Sequence, residues 1–217
     1  MSEPSVLQLR EQFSTPEQQR ETATAGMWIF LMSEVLLFGA LFTAFTMYRI
    51  SHPHAFDLGS KDMEILLGSA NTAVLICSSY TMALAVHSAE TGRQNRLMLF
   101  LILTMIIGAI FIGIKFTEYY LHYQDHKAPG FWFEEHAPGA ANIQMFFVFY
   151  FIMTGLHALH MLIGIGILAV LFLRALAGRF SAEYHSPIDF GGLYWHFIDI
   201  VWVFLYAIFY IPGLHVK

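Results

Sequence analysis

Cysteine is almost missing from this chain. Cys77 is the only one and sits inside an apolar run, so an intrachain disulfide is excluded. Any site that needs paired thiolates is excluded with it, including a two-cysteine copper centre. Charge is scarce as well: 12% of the residues are charged, against about 25% in a soluble domain. No basic run occurs and the formal net charge is −5, which argues against nucleic acid as a partner. The first 25 residues are polar and contain no early apolar core. No cleavable signal peptide is therefore expected, and the first apolar run should act as its own targeting signal. Internal repeats and low-complexity tracts are lacking too.

What fills the chain is hydrophobic: 57% of the residues, with a mean hydropathy of +0.56. Five apolar stretches, near 26–48, 64–87, 97–119, 143–173 and 191–211, can each cross about 30 Å of hydrocarbon at 1.5 Å per residue. The fourth is long enough to require tilt or projection beyond the bilayer. The predicted fold is all-α, an integral membrane bundle of five transmembrane helices over 26–217 behind a polar segment over 1–25. In that segment Thr15-Pro16-Glu17-Gln18 reads as a helix start, with a Thr cap and Pro at the first position, which predicts a short surface helix. The loop between the third and fourth spans carries Pro129 and Pro138 and is expected to be an ordered or lipid-hugging loop.

Lys and Arg set the orientation. Arg10, Arg20, Arg93, Arg96, Arg174 and Arg179 fall on one side, and Arg49, Lys61, Lys127 and Lys217 on the other. The bias predicts a cytoplasmic amino terminus and an external carboxyl terminus. Trp28 and Trp195 are expected as aromatic anchors at the inner boundary, and Tyr48, Tyr119, Tyr120 and Tyr210 at the outer one.

Seven ionisable side chains lie within these spans: Glu34, Lys115, Glu118, His157, His160, His196 and Asp199. Each charge in hydrocarbon costs about 3 kcal/mol on insertion scales, so they satisfy one another or hold something else. Rise per residue predicts an inner polar layer on spans one and five (Glu34, His196, Asp199) and an outer one on spans two and three (Asn71, Lys115, Glu118), with the two histidines of span four between. The pairs Lys115/Glu118, His157/His160 and His196/Asp199 each have a spacing of three, which puts both members on one helix face. Gly68, Ser69, Thr72, Ala73, Ala109, Gly113 and Gly164 are candidates for close helix approach.

Each pair has a structural reading. Lys115 with Glu118 reads as a salt bridge near the interface or a lysine snorkelling outward, and Asp199 can accept from His196 and fix its tautomer. Glu34 has no cation within reach on its own helix, so it is neutral or paired across helices. His157 and His160, with His196 as a third imidazole, also admit a metal or haem. A non-haem iron site would want more carboxylates or a richer His cluster.

The stretches GMWIFLMSEVLLFGALFTAF, NTAVLICSSYTM, EYY, TGLHALHMLIG and DFGGLYWHFIDIVWVFLYAIFY resemble subunit III of the haem–copper terminal oxidases, from about residue 26 to 212. The resemblance implies a five-helix form of a fold that longer members build from seven. It implies a non-redox accessory subunit, not itself catalytic, with haem and copper held by partner subunits. Its expected partners are oxidase subunits I and II, bound phospholipid and, through the oxidase, a respiratory supercomplex, in a bacterial cytoplasmic (inner) membrane. It would support proton uptake and keep the catalytic centre from inactivating during oxygen reduction and proton pumping. Glu34 matches the family's intramembrane carboxylate, and Glu118, His157, His160, His196 and Asp199 match its recurring polar positions. Lys115 stands where the family commonly has Gln. Lipid contacts are expected at Glu34, His157, Trp195 and His196. Independently, one cysteine and three intramembrane histidines are too few for two haems and a copper together. Two other readings are a subunit III-like accessory of a nitric oxide reductase, and a small proton-coupled transporter with Glu34 and Asp199 as carriers. The transporter would require broken helices and an inverted repeat, and the sequence has neither signal.

Overall fold

The computed structural model describes residues 13–127 and 140–214. Six helices run in chain order: α1 Pro16–Ser51, α2 Pro53–Lys61, α3 Ile65–Glu90, α4 Gln94–Gln124, α5 Ala140–Leu176 and α6 Ser186–Phe209, closed by a 3-10 turn at Pro212–Leu214. Among the described residues there is no strand. Five of the helices, all but α2, are long and apolar enough to cross a membrane.

Local chemistry sets the ends. Thr15 Oγ1 accepts from the Gln18 N–H at 3.2 Å, and Pro16 opens α1 where its missing N–H costs nothing. The helix begun there continues without interruption into the first span. Its 36 residues reach about 54 Å, well beyond the hydrocarbon core. Pro53 ends it, and the same proline starts α2. The sequence shows only a break there, yet α2 buries Ala55 and Phe56, with the Phe56 ring 5.6 Å from that of Phe146 on α5. Gly92 and Gly178, with φ of +67° and +65°, make the turns into α4 and after α5 where a left-handed residue is required.

Helices α3, α4, α5 and α6 close a ring: α3 packs on α4 and α6, and α5 packs on the same two. The first helix leans on α5 and α6 from outside. Trp195 and Trp202, both fully buried, fill the centre. Trp195 and Tyr210 are thus core residues and not boundary anchors, whereas Trp28, Tyr48 and Tyr120 are exposed. Close approach occurs at two of the expected positions, where a Cβ at Gly68 would lie 2.6 Å from the Tyr210 ring and one at Gly164 3.1 Å from the Trp195 ring, but not at all of them. Ala73 and Ala109 are exposed and Gly113 faces open space. Gly108, outside the expected set, is a further site of contact: a Cβ there would lie 2.9 Å from the Trp195 ring. The loop with Pro129 and Pro138 lies outside the described residues.

Candidate functional site

The ionisable residues expected within the spans, His157 apart, fall into three separate clusters. The first centres on Lys115, which is 1% exposed, beside Glu118, which is fully buried. Lys115 Nζ donates to Glu118 Oε2 at 2.9 Å, to the Tyr150 hydroxyl at 2.8 Å and to the Tyr210 hydroxyl at 2.8 Å. An ammonium has three protons to give, and all three are used. Tyr210 in turn donates to Glu118 Oε1 at 2.6 Å. The rings of Tyr119, Tyr150, Trp202 and Tyr210 surround Nζ at 4.5–5.5 Å from their centroids, a cation–π cage. The expected salt bridge is present, and the outward-snorkelling reading of Lys115 gives way to this interior placement.

The second cluster joins helices α1 and α5. His160 Nε2 lies 3.0 Å from Glu34 Oε2. His160 Nδ1 lies 2.8 Å from the Leu156 carbonyl, which can only accept, so Nδ1 carries a proton. Two arrangements fit: imidazolium with carboxylate, or neutral imidazole accepting from a carboxylic acid. Both hold one proton between the two groups, and both are neutral overall. The side chains are 14% and 11% exposed, so the pair lies at the edge of the bundle.

The third cluster spans α3 and α6. Ser79 Oγ is 2.8 Å from His196 Nδ1. Asp199 is 8% exposed. Neither carboxylate oxygen has a hydrogen-bond partner among the described residues. The expected Asp199–His196 bond therefore does not form; Ser79 holds the imidazole instead.

Glu34 pairs with span four rather than joining His196 and Asp199 on span five. The histidines of span four also part company. Three residues on a helix leave about 60° between side chains, enough to aim His160 at α1 and His157 inward. His157 packs on Phe111 and Trp202, with ring centroids 5.6 and 5.3 Å away, and both its nitrogens lack a hydrogen-bond partner among the described residues. Of the residues expected to touch lipid, Trp195 and His157 are sealed inside, while Glu34 and His196 are partly exposed.

The family model for cytochrome c oxidase subunit III matches residues 15–214. The chain belongs to that family. It is 33% identical over 205 residues to quinol oxidase subunit 3 of Bacillus subtilis, covering 91% of this chain and 92% of that protein. It is 30% identical over 190 residues to the probable quinol oxidase subunit 3 of Staphylococcus haemolyticus, covering 87% and 88%. It is 32% identical over 195 residues to cytochrome c oxidase subunit 3 of Tragelaphus oryx, covering 85% and 67%.

In this subunit III family member, sequence reasoning missed Tyr150, Tyr210 and Ser79. Tyr210 was expected as a boundary aromatic, and Tyr150 and Ser79 were not singled out. The same reasoning also missed a surface group at the opposite end of the bundle, where ligand atoms of Glu90, His185 and Asp189 lie within 4.8 Å of one another. His185 Nε2 is 3.5 Å from Asp189 there, and His87 Nδ1 is 3.7 Å from Glu90. These pairings are what partly exposed acids and imidazoles form at a membrane boundary.

Proposed function

We propose that this chain is a non-redox accessory subunit of a haem–copper terminal oxidase in a bacterial cytoplasmic membrane. It packs on oxidase subunits I and II, which hold the haem and copper, and takes part through them in larger respiratory assemblies. Phospholipid lies against its α1 face beside Glu34. The observation that carries this reading is the family match along residues 15–214. Lys115 adds weight, because an ammonium in the centre of the bundle opposes a metal cation beside His157. Relatives named for quinol and for cytochrome c match about equally well, as expected if donor choice resides in other subunits.

The support for proton uptake rests on Glu34 and His160. The pair can shift its one proton between Glu34 and His160 without changing its net charge, and onward transfer stays neutral when a second proton enters from the other side as the first leaves. Its position at the bundle edge leaves it accessible to a neighbouring subunit. The sealed Lys115 cluster has no such access and serves packing.

Purification of the tagged chain in mild detergent tests the reading. A haem-containing subunit should co-purify, with a Soret band in the complex and none on the chain once separated. A Soret band or stoichiometric copper on the separated chain would reject it.

A further inference from the structure

Between α3 and α6 the protein has an open groove of about 460 Å³, lined by Thr72, Ile76, Ser79 and Ala83 on one wall and Asp199 and Val203 on the other. We infer that this groove seats a membrane-spanning helix of another oxidase subunit, which brings a hydrogen-bond donor to the Asp199 carboxylate. The inference rests on the accessory-subunit reading and adds to it the face and the residue through which the partner is held.

Three observations converge. Asp199 is more than nine-tenths buried, lines the groove, and has no hydrogen-bond partner for either carboxylate oxygen among the described residues. A buried carboxyl group without partners is costly in any protonation state, and in hydrocarbon no water stands in. The second observation is depth. Asp199 and Ser79 lie near the middle of α6 and α3, so a phospholipid headgroup, about 15 Å away at the bilayer surface, cannot reach them. A donor at the midplane has to be carried there, and a transmembrane helix does so. The third is shape. The α3 wall runs from Thr72 to Ala83, about three helical turns. Threonine, serine and alanine on that wall let a backbone approach closely. Ile76, Tyr80, Ile200 and Val203 present exposed apolar surface along the same groove.

Photo-crosslinking in the assembled oxidase tests this. A benzophenone amino acid is placed at Ile76 or Ile200, and the adducts are identified by mass spectrometry. The expected result is an adduct with one other oxidase subunit from both positions, reduced several-fold by Asp199→Leu and largely retained by Asp199→Asn, which still offers an acceptor. Adducts only with lipid, with a lipid-soluble quinone or with a second copy of this chain, while oxidase subunits co-purify, overturn the groove assignment alone. An undiminished adduct in Asp199→Leu overturns the role of Asp199. Absence of any co-purifying oxidase subunit overturns the accessory-subunit reading and this inference together.

Discussion

Lys115 shows how a single residue can be tolerated in a membrane bundle. Its ammonium has an acceptor for each proton and aromatic rings around it. Removing one member of such a pair leaves the other charge stranded, at a cost of about 3–5 kcal/mol, whereas replacing both with apolar groups is often neutral. Lys115→Met should therefore destabilise the detergent-solubilised chain strongly. Lys115→Met with Glu118→Leu should recover most of the loss. Lys115→Gln retains an amide donor for Glu118 and should fall between them. Thermal unfolding followed by intrinsic fluorescence measures all three, and a Lys115→Met variant as stable as the parent would refute the account. The Lys115/Glu118 spacing was legible in the sequence. Their tyrosine partners were not, because Tyr150 and Tyr210 come from helices 35 and 95 positions away and no local pattern links them.

At the level of elements, the five spans were legible because apolar length is a strong signal. The helix ends were less so. Each of α1, α4 and α5 continues into polar sequence, where hydropathy falls but backbone hydrogen bonding does not. The short α2 was hidden by Pro53 and Gly59, which read as a break; Pro53 instead starts the helix, and Gly59 gives room for the Phe146 ring. Pairing between elements was the least legible, since depth alone could not say whether Glu34 meets α5 or α6. The observed answer has a consequence. Helix α1 leans on the outside of the ring, and the Glu34–His160 contact joins it to α5. Glu34→Leu removes that contact and should loosen α1, seen as hydrogen exchange several-fold faster over residues 28–45 than over α6. Glu34→Gln can still donate to His160 Nε2, so α1 should stay as protected as in the parent. What Glu34→Gln loses is the exchangeable proton, so the assembled oxidase should inactivate sooner during turnover while retaining the subunit. Equal exchange in Glu34→Leu and the parent would show that apolar packing alone holds α1.

For the molecule as a whole, two of the three clusters are satisfied within the chain and one is not. Lys115 with Glu118, and Glu34 with His160, are complete before any partner arrives, so the free chain should keep its fold in mild detergent. Asp199 is the exception, and its substitution should act with opposite sign in the two states. In the free chain an unpartnered buried polar group costs about 1–3 kcal/mol. Asp199→Leu removes that cost, and the groove alongside accepts the new side chain. The midpoint of thermal unfolding should therefore rise by a few degrees. In the assembled oxidase the same substitution deletes the acceptor for the partner's donor, so the subunit should be stripped off at lower detergent concentration. A substitution that merely damaged packing would lower both measures, and one at a lipid-facing site would change neither. A higher midpoint alone combined with weaker retention in the complex is the outcome specific to a carboxylate kept for a partner.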